Sequence, residues 1–224
     1  IYSNNLDSSW AKAGDTVFVE FIGNEELDSI YITIMGEDST SYYRDGGARY
    51  RGYHIMDGND STDTLLSFSI DYRDLGGVEG PTVDTTSDNS YVRYDSVKPT
   101  ISNLNFISSN IISDSSAIDD TVFLSFNSSE PYRSIQLMIS GDEINPEQNN
   151  LSLDGYRVMQ DIDNDGPIYF SILLEDSAGN YSEEITNFDT LPQIYFDGTL
   201  PTMVTVSFLS SNKNDSSLAI IGDT

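Results

Sequence analysis

Short runs in which apolar and polar residues alternate dominate the chain. Residues 16–21 read TVFVEF and residues 30–35 read IYITIM, and further runs lie at 49–56, 65–72, 91–94, 153–159, 167–174 and 193–196. Because successive side chains of a strand point to opposite faces, each run predicts a short β-strand. Turns rich in Gly, Asn, Asp and Ser separate the runs, and no long stretch carries the apolar spacing of a helix. About seven short strands per hundred residues favour an antiparallel β-sandwich.

The order of these runs occurs twice. DTVFVEF at 15–21 is followed 105 residues later by DTVFLSF at 120–126, and FSI at 68–70 recurs 102 residues later at 170–172. Short loop insertions produce such a small drift in the offset. The sequence therefore predicts two copies of one domain, at 1–98 and 99–200, and a third copy that starts in residues 201–224.

Both ends of the sequence fall inside the repeat. IYSNN at 1–5 aligns with FISSN at 106–110, and SSN at 210–212 aligns with SSN at 108–110. We therefore expect the chain to be a piece of a longer array. If the first copy lacks its opening strand, residues 202–224 offer a strand of the matching type, which suggests strand exchange between neighbouring molecules.

Several stretches carry a family resemblance. They are AKAGDTVFVEF at 11–21, FSIDYRDLGG at 68–77, FSILLEDSAGN at 170–180 and FDGTLP at 196–201. Their wording and order resemble the bacterial Ig-like (Big-type) tandem repeats of large prokaryotic cell-surface proteins. The resemblance implies an all-β fold of tandem immunoglobulin-like antiparallel β-sandwiches and an extracellular, cell-surface location. It does not choose a function, because such repeats serve in adhesins, surface layers and spacers.

Charge and composition exclude several classes of protein. The chain has 10 Lys and Arg against 37 Asp and Glu, a formal net charge of −27, which repels nucleic acid and anionic membranes. It has no Cys, so disulfides and thiolate metal sites are excluded. No apolar run reaches the length that crossing a bilayer requires, so no membrane insertion is expected.

The sequence gives no support for catalysis. The only His, His54, aligns with Arg157 of the second copy, in a strand where both side chains are expected to face solvent. A general base that one copy replaces with Arg is a poor candidate. No phosphate-binding loop, nucleophile elbow or His-based metal motif is present, so we predict that the chain is not an enzyme and has no catalytic residues.

One acidic loop has the spacing of a calcium site. Asp161, Asp163 and Asp165 precede Gly166 in the order D-x-D-x-D-G, which places carboxylates on one side of a sharp turn. The residue at position 12 of that loop is Ile172 and lies in a predicted strand, so an EF-hand is excluded. The first copy has Asn, Ser and Asp at the corresponding positions, Ser61 being the middle one. The alternative is a hairpin turn that uses these residues for local hydrogen bonds.

A second candidate cation site is the joint between copies. Asp95 and Asp197 lie just before the linker prolines, and Asp74 and Asp176 lie in turns that a sandwich places near one end. Carboxylates that converge from two domains repel one another unless a cation intervenes, so calcium could stiffen the array. The alternative is a pair of capped turns and a linker stiffened by proline. In either case the short linker predicts that the orientation of successive domains relative to one another is restricted.

Five Asn-x-Ser/Thr sequons are candidate glycosylation sites, and all are expected in turns. Their acceptors are Asn59, Asn127, Asn150, Asn180 and Asn214. The alternative is that a chain rich in Asn and Ser produces such triplets by chance.

These observations favour a non-catalytic structural segment, a stalk or a surface-layer component, with calcium as the bridging ion. Its expected partners are neighbouring copies of itself or further repeats of the same chain. Two other functions remain open: an adhesin region that binds carbohydrate or a host surface protein, and a spacer beside the catalytic domain of a secreted enzyme.

Overall fold

The computed structural model describes residues 1–38, 42–44, 47–59, 63–186 and 193–224. The described part of the chain is built of strands, turns and coil. Strands up to residue 94 belong to one sandwich, which we call the first sandwich. They are β1 (Tyr2–Ser3), β2 (Trp10–Ala11), β3 (Thr16–Ile22), β4 (Leu27–Ile34), β5 (Glu37–Asp38), β6 (Tyr42–Arg44), β7 (Arg49–Ile55), β8 (Thr64–Leu65), β9 (Phe68–Asp74) and β10 (Arg93–Tyr94).

Strands from residue 101 to residue 196 form the second sandwich. They are β11 (Ile101–Ser108), β12 (Ser115–Ser116), β13 (Thr121–Ser128), β14 (Tyr132–Ile139), β15 (Asp142–Glu143), β16 (Glu147–Asn149), β17 (Ser152–Val158), β18 (Gly166–Pro167), β19 (Phe170–Asp176), β20 (Ile185–Thr186) and β21 (Tyr195–Phe196).

Both sandwiches have the strand order of an immunoglobulin-like fold. In the second sandwich, one sheet has the order β11-β13-β17-β16 and the opposite sheet the order β15-β14-β19-β20. The first sandwich repeats this with β1-β3-β7-β6 and β5-β4-β9, and neighbours in these sheets are antiparallel. The orders correspond to the A-B-E-D and C-F-G sheets of that fold. The expected fold class, all-β with tandem immunoglobulin-like antiparallel β-sandwiches, is therefore confirmed.

A small third sheet closes the same end of each sandwich. In the first sandwich β10 pairs in parallel with β2 and antiparallel with β8, and in the second β21 pairs likewise with β12 and β18. The residues that follow β10 and β21 are Asp95 and Asp197. The fold therefore places these two aspartates at the same end of their respective sandwiches.

Alternate side chains of the central strands fill each core. In β13, Val122, Leu124 and Phe126 are buried, and in β3 the equivalent positions 17 and 19 hold Val17 and Val19, which are also buried. Each such side chain contributes roughly 1.5–3 kcal/mol when it leaves water. Inward-facing residues at a spacing of two thus hold the two sheets together, as the alternation predicts.

Two of the expected strands are each divided. The run at 65–72 contributes to β8 and β9, and the run at 167–174 contributes to β18 and β19. β8 and β18 pair within the small end sheets, whereas β9 and β19 pair with β4 and β14 in the opposite sheet. The prediction of one continuous strand was wrong here because the chain crosses from one sheet to another within each run.

The last residues of the chain contain no assigned strand from 197 to 224. Their large apolar side chains are exposed, Val204 to 94% and Phe208 to 98%. Among the described residues there is no helical segment with the length and apolar character that crossing a bilayer requires.

Candidate functional site

The turn that follows β19 docks directly onto the first sandwich. Asn5 Nδ2 donates to the Ala178 carbonyl at 2.8 Å, and Lys12 Nζ donates to the Gly179 carbonyl at 2.5 Å. In the opposite direction, Asn180 Nδ2 donates to the Asp95 carbonyl at 3.0 Å. These bonds join two sandwiches that are connected by only a few residues, and we call this contact region the joint.

The shape of the docking turn follows from its own sequence. The Asp176 carboxylate accepts hydrogen bonds from Asn180 N–H and from Asn180 Nδ2, both at 2.8 Å. Gly179 has a φ of 87°, which favours glycine because a Cβ would strain the backbone there. The first sandwich forms the same turn, in which Asp74 Oδ1 accepts from Val78 N–H at 2.8 Å. The turn is thus a repeated feature that ends the equivalent strands β9 and β19.

Three carboxylates from both sandwiches converge in the joint. Asp95 follows β10, Glu130 follows β13, and Asp176 ends β19; one carboxylate oxygen from each lies within 4.8 Å of the others. Asp95 is 7% exposed and Asp176 is 1% exposed, while Glu130 is half-buried. Within the described parts of the chain this is the single group of three or more candidate metal ligands. The structure therefore brings together two residues of the predicted joint site, Asp95 and Asp176.

The electrostatics of this cluster act on Glu130. Burial, reinforced by the negative charges of Asp95, Asp176 and Asp63, raises the pKa of Glu130 to about 7. A carboxyl group with such a pKa is held where burial, and after it the neighbouring negative charges, oppose its ionised form. The cluster consequently favours anything that brings positive charge, a proton or a cation, into the joint.

A cleft beside the cluster is lined by both sandwiches and has a volume of about 610 Å³. On the first sandwich, the Arg93 guanidinium lies 5.7 Å from the centre of the Trp10 ring and donates to Asp63 at 2.7 and 3.0 Å. On the second sandwich, Ser129, Glu130 and Pro131 line the opposite wall. The one Trp of the chain therefore lies at the joint rather than in a core.

The donor set of the cluster fits calcium. Calcium binds six to eight oxygen ligands at about 2.3–2.6 Å, so ligands on opposite sides of one ion are roughly 5 Å apart. Carboxylate oxygens within 4.8 Å of one another match that span. Three carboxylates supply enough charge for a divalent cation, and the open cleft leaves room for water as further ligands.

The outer end of each sandwich carries residues equivalent to one half of this cluster. Glu25 and Asp74 of the first sandwich correspond to Glu130 and Asp176, and Asp165 and Asp197 of the second correspond to Asp63 and Asp95. Glu25 and Asp197 are exposed and Asp74 is half-buried. Each sandwich therefore has one half of a joint at each end, and the cluster is complete where two sandwiches meet.

The acidic loop 161–166 has a different arrangement. The Asp163 carboxylate receives two hydrogen bonds from the Arg157 guanidinium, at 2.6 and 2.7 Å, and Asp165 receives bonds from Gly198 N–H and Thr199 Oγ1. The Arg157 bond lowers the pKa of Asp163, and the Thr199 bond lowers that of Asp165. Asp161 is exposed. Among the described residues these three aspartates form no cluster of candidate ligands, and Ser61 of the first copy lies outside the described residues.

Arg157 corrects one expectation of the sequence. It was expected to face solvent, yet it is 9% exposed and also bonds Asp142 Oδ2 at 2.7 Å. Its long side chain reaches two carboxylates, so its charge is neutralised where it is buried. His54 at the equivalent position is half-buried.

The sequons lie in different surroundings. Asn59, Asn150 and Asn214 are exposed, as expected of acceptors. Asn127 was expected in a turn but belongs to β13, because that strand continues to Ser128 and pairs Asn127 with Ser152. Asn180 donates from Nδ2 to Asp95 and to Asp176, so a glycan on that nitrogen would replace bonds of the joint. Glycosylation of the exposed acceptors stays a prediction.

Sequence reasoning missed Asn5, Lys12 and Glu130. Their partners are far away along the chain, the Asn5–Ala178 bond spanning 173 residues. One signal was present: Glu130 and Glu25 hold equivalent positions in the two copies, in the same way as Asp176 and Asp74.

Comparison with known proteins finds only distant structural similarities. No family model matches the sequence, and no curated protein does. A crystal structure of the titin I9–I11 tandem is 12% identical with a TM-score of 0.34, over 88% of this chain and 65% of that chain. The titin tandem A164–A165 is 12% identical with a TM-score of 0.27, over 85% and 92% of the two chains. The sialic acid binding region of a Streptococcus sanguinis SK1 adhesin, bound to 3'sLn, is 12% identical with a TM-score of 0.29, over 84% and 75%.

This chain thus spans just under two thirds of the first titin structure. At such identities and TM-scores the similarities assign no function, and the resemblance to bacterial Ig-like repeats remains an interpretation of the residues.

Proposed function

We propose that this chain is a non-catalytic, extracellular structural segment, a stalk or surface-layer component of a large repetitive cell-surface protein. The observation that carries the proposal is the direct bonding across the joint, in which Asn5 and Lys12 of one sandwich hold the turn at 178–179 of the other. A segment that transmits force or keeps a spacing needs such bonds, because domains linked only by a flexible chain reorient freely.

The linker itself supports a fixed orientation of the two sandwiches relative to one another. Val97 N–H donates to Asp95 Oδ1 at 2.9 Å, and Thr100 N–H donates to Ser129 Oγ at 2.9 Å, so both ends of the linker are bonded. Pro99 is buried and fixes its own φ. An exposed ion pair between Lys98 and Glu183 adds a weaker contact. Few backbone torsions are left free to rotate between the sandwiches.

In this proposal calcium binds in the joint. Asp95, Glu130 and Asp176 would hold it, and the ion would neutralise charges that burial places close together. Because its ligands come from both sandwiches, the ion stabilises the joint more than either sandwich alone. The same residue types at the outer ends of the sandwiches would give equivalent sites wherever further repeats adjoin.

Isothermal titration calorimetry with calcium chloride, combined with thermal unfolding in calcium and in chelator, tests the proposal. The informative variant is Glu130→Gln, which keeps the shape of the side chain and removes its charge. Glu25→Gln is the matched control, because Glu25 holds the equivalent position at the outer end of the first sandwich. Calcium at about ten times its dissociation constant adds roughly 1.4 kcal/mol to the stability of the wild type.

Only the first of the two variants is expected to differ from the wild type. E130Q binds calcium about tenfold more weakly or worse, and in chelator it unfolds at a higher temperature than the wild type because the repulsion in the joint is relieved. E25Q behaves as the wild type in both conditions. Absence of calcium binding by the wild type would contradict the cation site, as would equal effects of the two substitutions.

One observation favours the rival function, an adhesin region. Phe123 and Tyr156 lie side by side on the outer face of the second sandwich, 42% and 55% exposed, with ring centres 6.4 Å apart. Exposed aromatic rings suit binding to carbohydrate or to a host surface protein. Saturable glycan binding by the whole chain that Phe123→Ala abolishes would support the adhesin, and its absence supports the structural segment.

A further inference from the structure

The sheet formed by β11, β13 and β17 presents apolar side chains on its outer face. Ile107, Phe123 and Tyr156 lie opposite one another on the three strands, and Val158 occupies the next outward position of β17. They are 47%, 42%, 55% and 43% exposed, in that order. We call these four residues the outer patch. Side chains on the water-facing side of an antiparallel sheet are usually polar, so four neighbouring apolar ones mark an interaction surface.

The first sandwich has an equivalent pair of rings and covers it. The ring centres of Phe18 and Tyr53 are 6.4 Å apart, the same separation as between the two rings of the outer patch. The Arg51 guanidinium lies 5.5 Å from the centre of the Phe18 ring and also donates to the Glu20 carboxylate. A cation held over an aromatic ring is attracted to it, and this ion pair contributes to the half-buried state of Phe18.

Two sequence differences uncover the rings of the second sandwich. Ser125 and Asp154 face each other across β13 and β17, as Glu20 and Arg51 do across β3 and β7. The serine side chain is short and the aspartate carries no cation, so neither can cover an aromatic ring as an arginine does. Within the described part of the chain, no guanidinium lies over the Phe123 ring. The outer patch is therefore bare where its counterpart in the first sandwich is covered.

The size of the outer patch suits a weak contact between proteins. Each of its side chains exposes about half of roughly 200 Å², so the patch offers roughly 400 Å² of apolar surface. Apolar patches of this size on a single protein are often functional. A standard protein interface buries about 800 Å² on each partner, so the patch supplies the apolar centre of a small interface.

Charge and shape favour a second copy of this chain as the occupant. Two copies with a net charge of −27 each repel one another, whereas the four residues of the outer patch carry no charge. Acidic residues begin at one rim of the patch, where Asp154 lies opposite Glu147 across β17 and β16. A contact between identical surfaces needs a surface that complements itself, and an uncharged apolar sheet face does so because sheets pack face to face.

We infer that the outer patch joins two copies of this chain face to face, each patch packing on the other in an isologous contact. The patch lies on a sheet face, and the joint lies at an end of the same sandwich, so the two contacts use different surfaces. Tethering in a long array strengthens so weak a contact, and only this last step rests on the function proposed above.

Sedimentation equilibrium of the whole chain over about 10 μM to 1 mM protein tests this inference, because so small an interface gives weak association. The solutions contain chelator, so a calcium ion in the joint plays no part. The wild type is expected to dimerise as its concentration rises, and more readily in sodium chloride, which screens the repulsion between acidic surfaces. Dimers that sodium chloride dissociates would contradict an apolar contact.

Tyr156→Ser removes one ring from each side of the contact and should weaken dimerisation about tenfold or more. Tyr53→Ser is the matched control, because it makes the same change at the equivalent position of the first sandwich, beside the covered Phe18 ring. This control should dimerise as the wild type does. Equal effects of the two substitutions overturn the inference.

Transplanting the cover tests the contact without removing an apolar side chain. Ser125→Glu together with Asp154→Arg gives the second sandwich the ion pair that covers Phe18 in the first, and it leaves the net charge almost unchanged. The double variant should keep the circular dichroism and the thermal midpoint of the wild type, because both positions lie on the outer face, and it should remain monomeric over the same range.

Two results of these measurements overturn the inference. One is a wild type that stays monomeric throughout the range, which leaves the exposed rings to the rival adhesin function. The other is a double variant that dimerises at the wild-type level. Because every run contains chelator, a joint that binds no calcium would leave dimerisation intact, and a chain that does not dimerise would still bind calcium in the joint.

Discussion

The two sandwiches differ most at the edge strand, which is β1 beside β3 in the first sandwich and β11 beside β13 in the second. β11 covers eight residues and seals the second sandwich, whereas β1 covers two residues and leaves a groove beside β3. The rest of the framework is alike, since Val17 faces His54 as Val122 faces Arg157. The comparison teaches that the central strands set the fold of both sandwiches, since their alternating side chains build both cores.

A second difference lies at positions 54 and 157. Arg157 ties the 161–166 loop to β15 through Asp163 and Asp142, whereas the first sandwich has a half-buried His54 there. The second sandwich thus holds its end loop with a buried ion pair.

Removing an equivalent aromatic side chain from each core tests the first difference. Phe126→Ala leaves a cavity in a sealed core and should cost about 3–5 kcal/mol, whereas Phe21→Ala, whose ring is half-buried, should cost roughly half as much. Trp10 lies in the first sandwich, so its fluorescence follows the unfolding of that sandwich, and circular dichroism follows both. Equal losses would show that the groove does not weaken the first core.

Breaking the buried ion pair should have the next largest effect. Arg157→Gln leaves the nearly buried Asp163 carboxylate without its cation and should cost about 3 kcal/mol in urea unfolding. Arg51→Gln is the matched control, because Arg51 pairs with Glu20 on an exposed surface, where a pair contributes less than about 1 kcal/mol. A small effect of R157Q would mean that the ion pair contributes little to the stability of the protein.

The same pair predicts a pH dependence. The bond from Arg157 lowers the pKa of Asp163 below its ordinary value of 3.8, so its contribution is fully present above that value and is lost as pH falls through the lowered pKa. The wild type should therefore lose stability between pH 4 and more acidic values more steeply than R157Q does. Parallel acid unfolding curves would contradict this.

Exchanging one residue between the two equivalent turns tests the joint. Asn180→Val gives the second turn the residue of the first and removes the two Nδ2 bonds, one to the Asp95 carbonyl and one to the Asp176 carboxylate, a loss of about 1 kcal/mol. Val78→Asn makes the reverse change at the outer end of the first sandwich and should be nearly neutral. Thermal unfolding of both variants in chelator compares them, and similar losses would show that the turn acts alone.

The smallest effect is expected for the exposed pair across the joint. Lys98 and Glu183 are 61% and 84% exposed at their side chains, so solvent screens their attraction. Lys98→Ala should leave the thermal midpoint unchanged within error. A clear decrease would mean that this exposed pair stabilises the joint in addition to the buried bonds of the linker.

The fold was predictable because its signal is local and repeated. The alternation in 16–21 and the recurrence of the same run at 120–126 define two sandwiches without knowledge of any contact. What the alternation could not show is where a run changes sheet, as between β8 and β9, since Leu66 and Ile70 are both buried and keep the same alternation across the change.

The site was predictable only in part. Asp95 and Asp176 stood out because each precedes a linker or turn, but Glu130 follows an ordinary strand, and only folding brings it to them. The D-x-D-x-D-G spacing of 161–166 is the same for a calcium loop and for a loop held by an arginine. Arg157, which binds Asp163, lies outside the loop in β17, so the spacing within the loop could not reveal it.

The central claim is that the joint holds the two sandwiches in one fixed orientation. The distance between them tests that claim most directly. The chain has no Cys, so spin labels on Thr85→Cys and Glu147→Cys, both at exposed positions of different sandwiches, are unambiguous. Double electron–electron resonance in calcium should give one narrow distribution of distances, which broadens in chelator. A broad distribution in calcium would contradict a rigid joint and with it the structural segment proposed above.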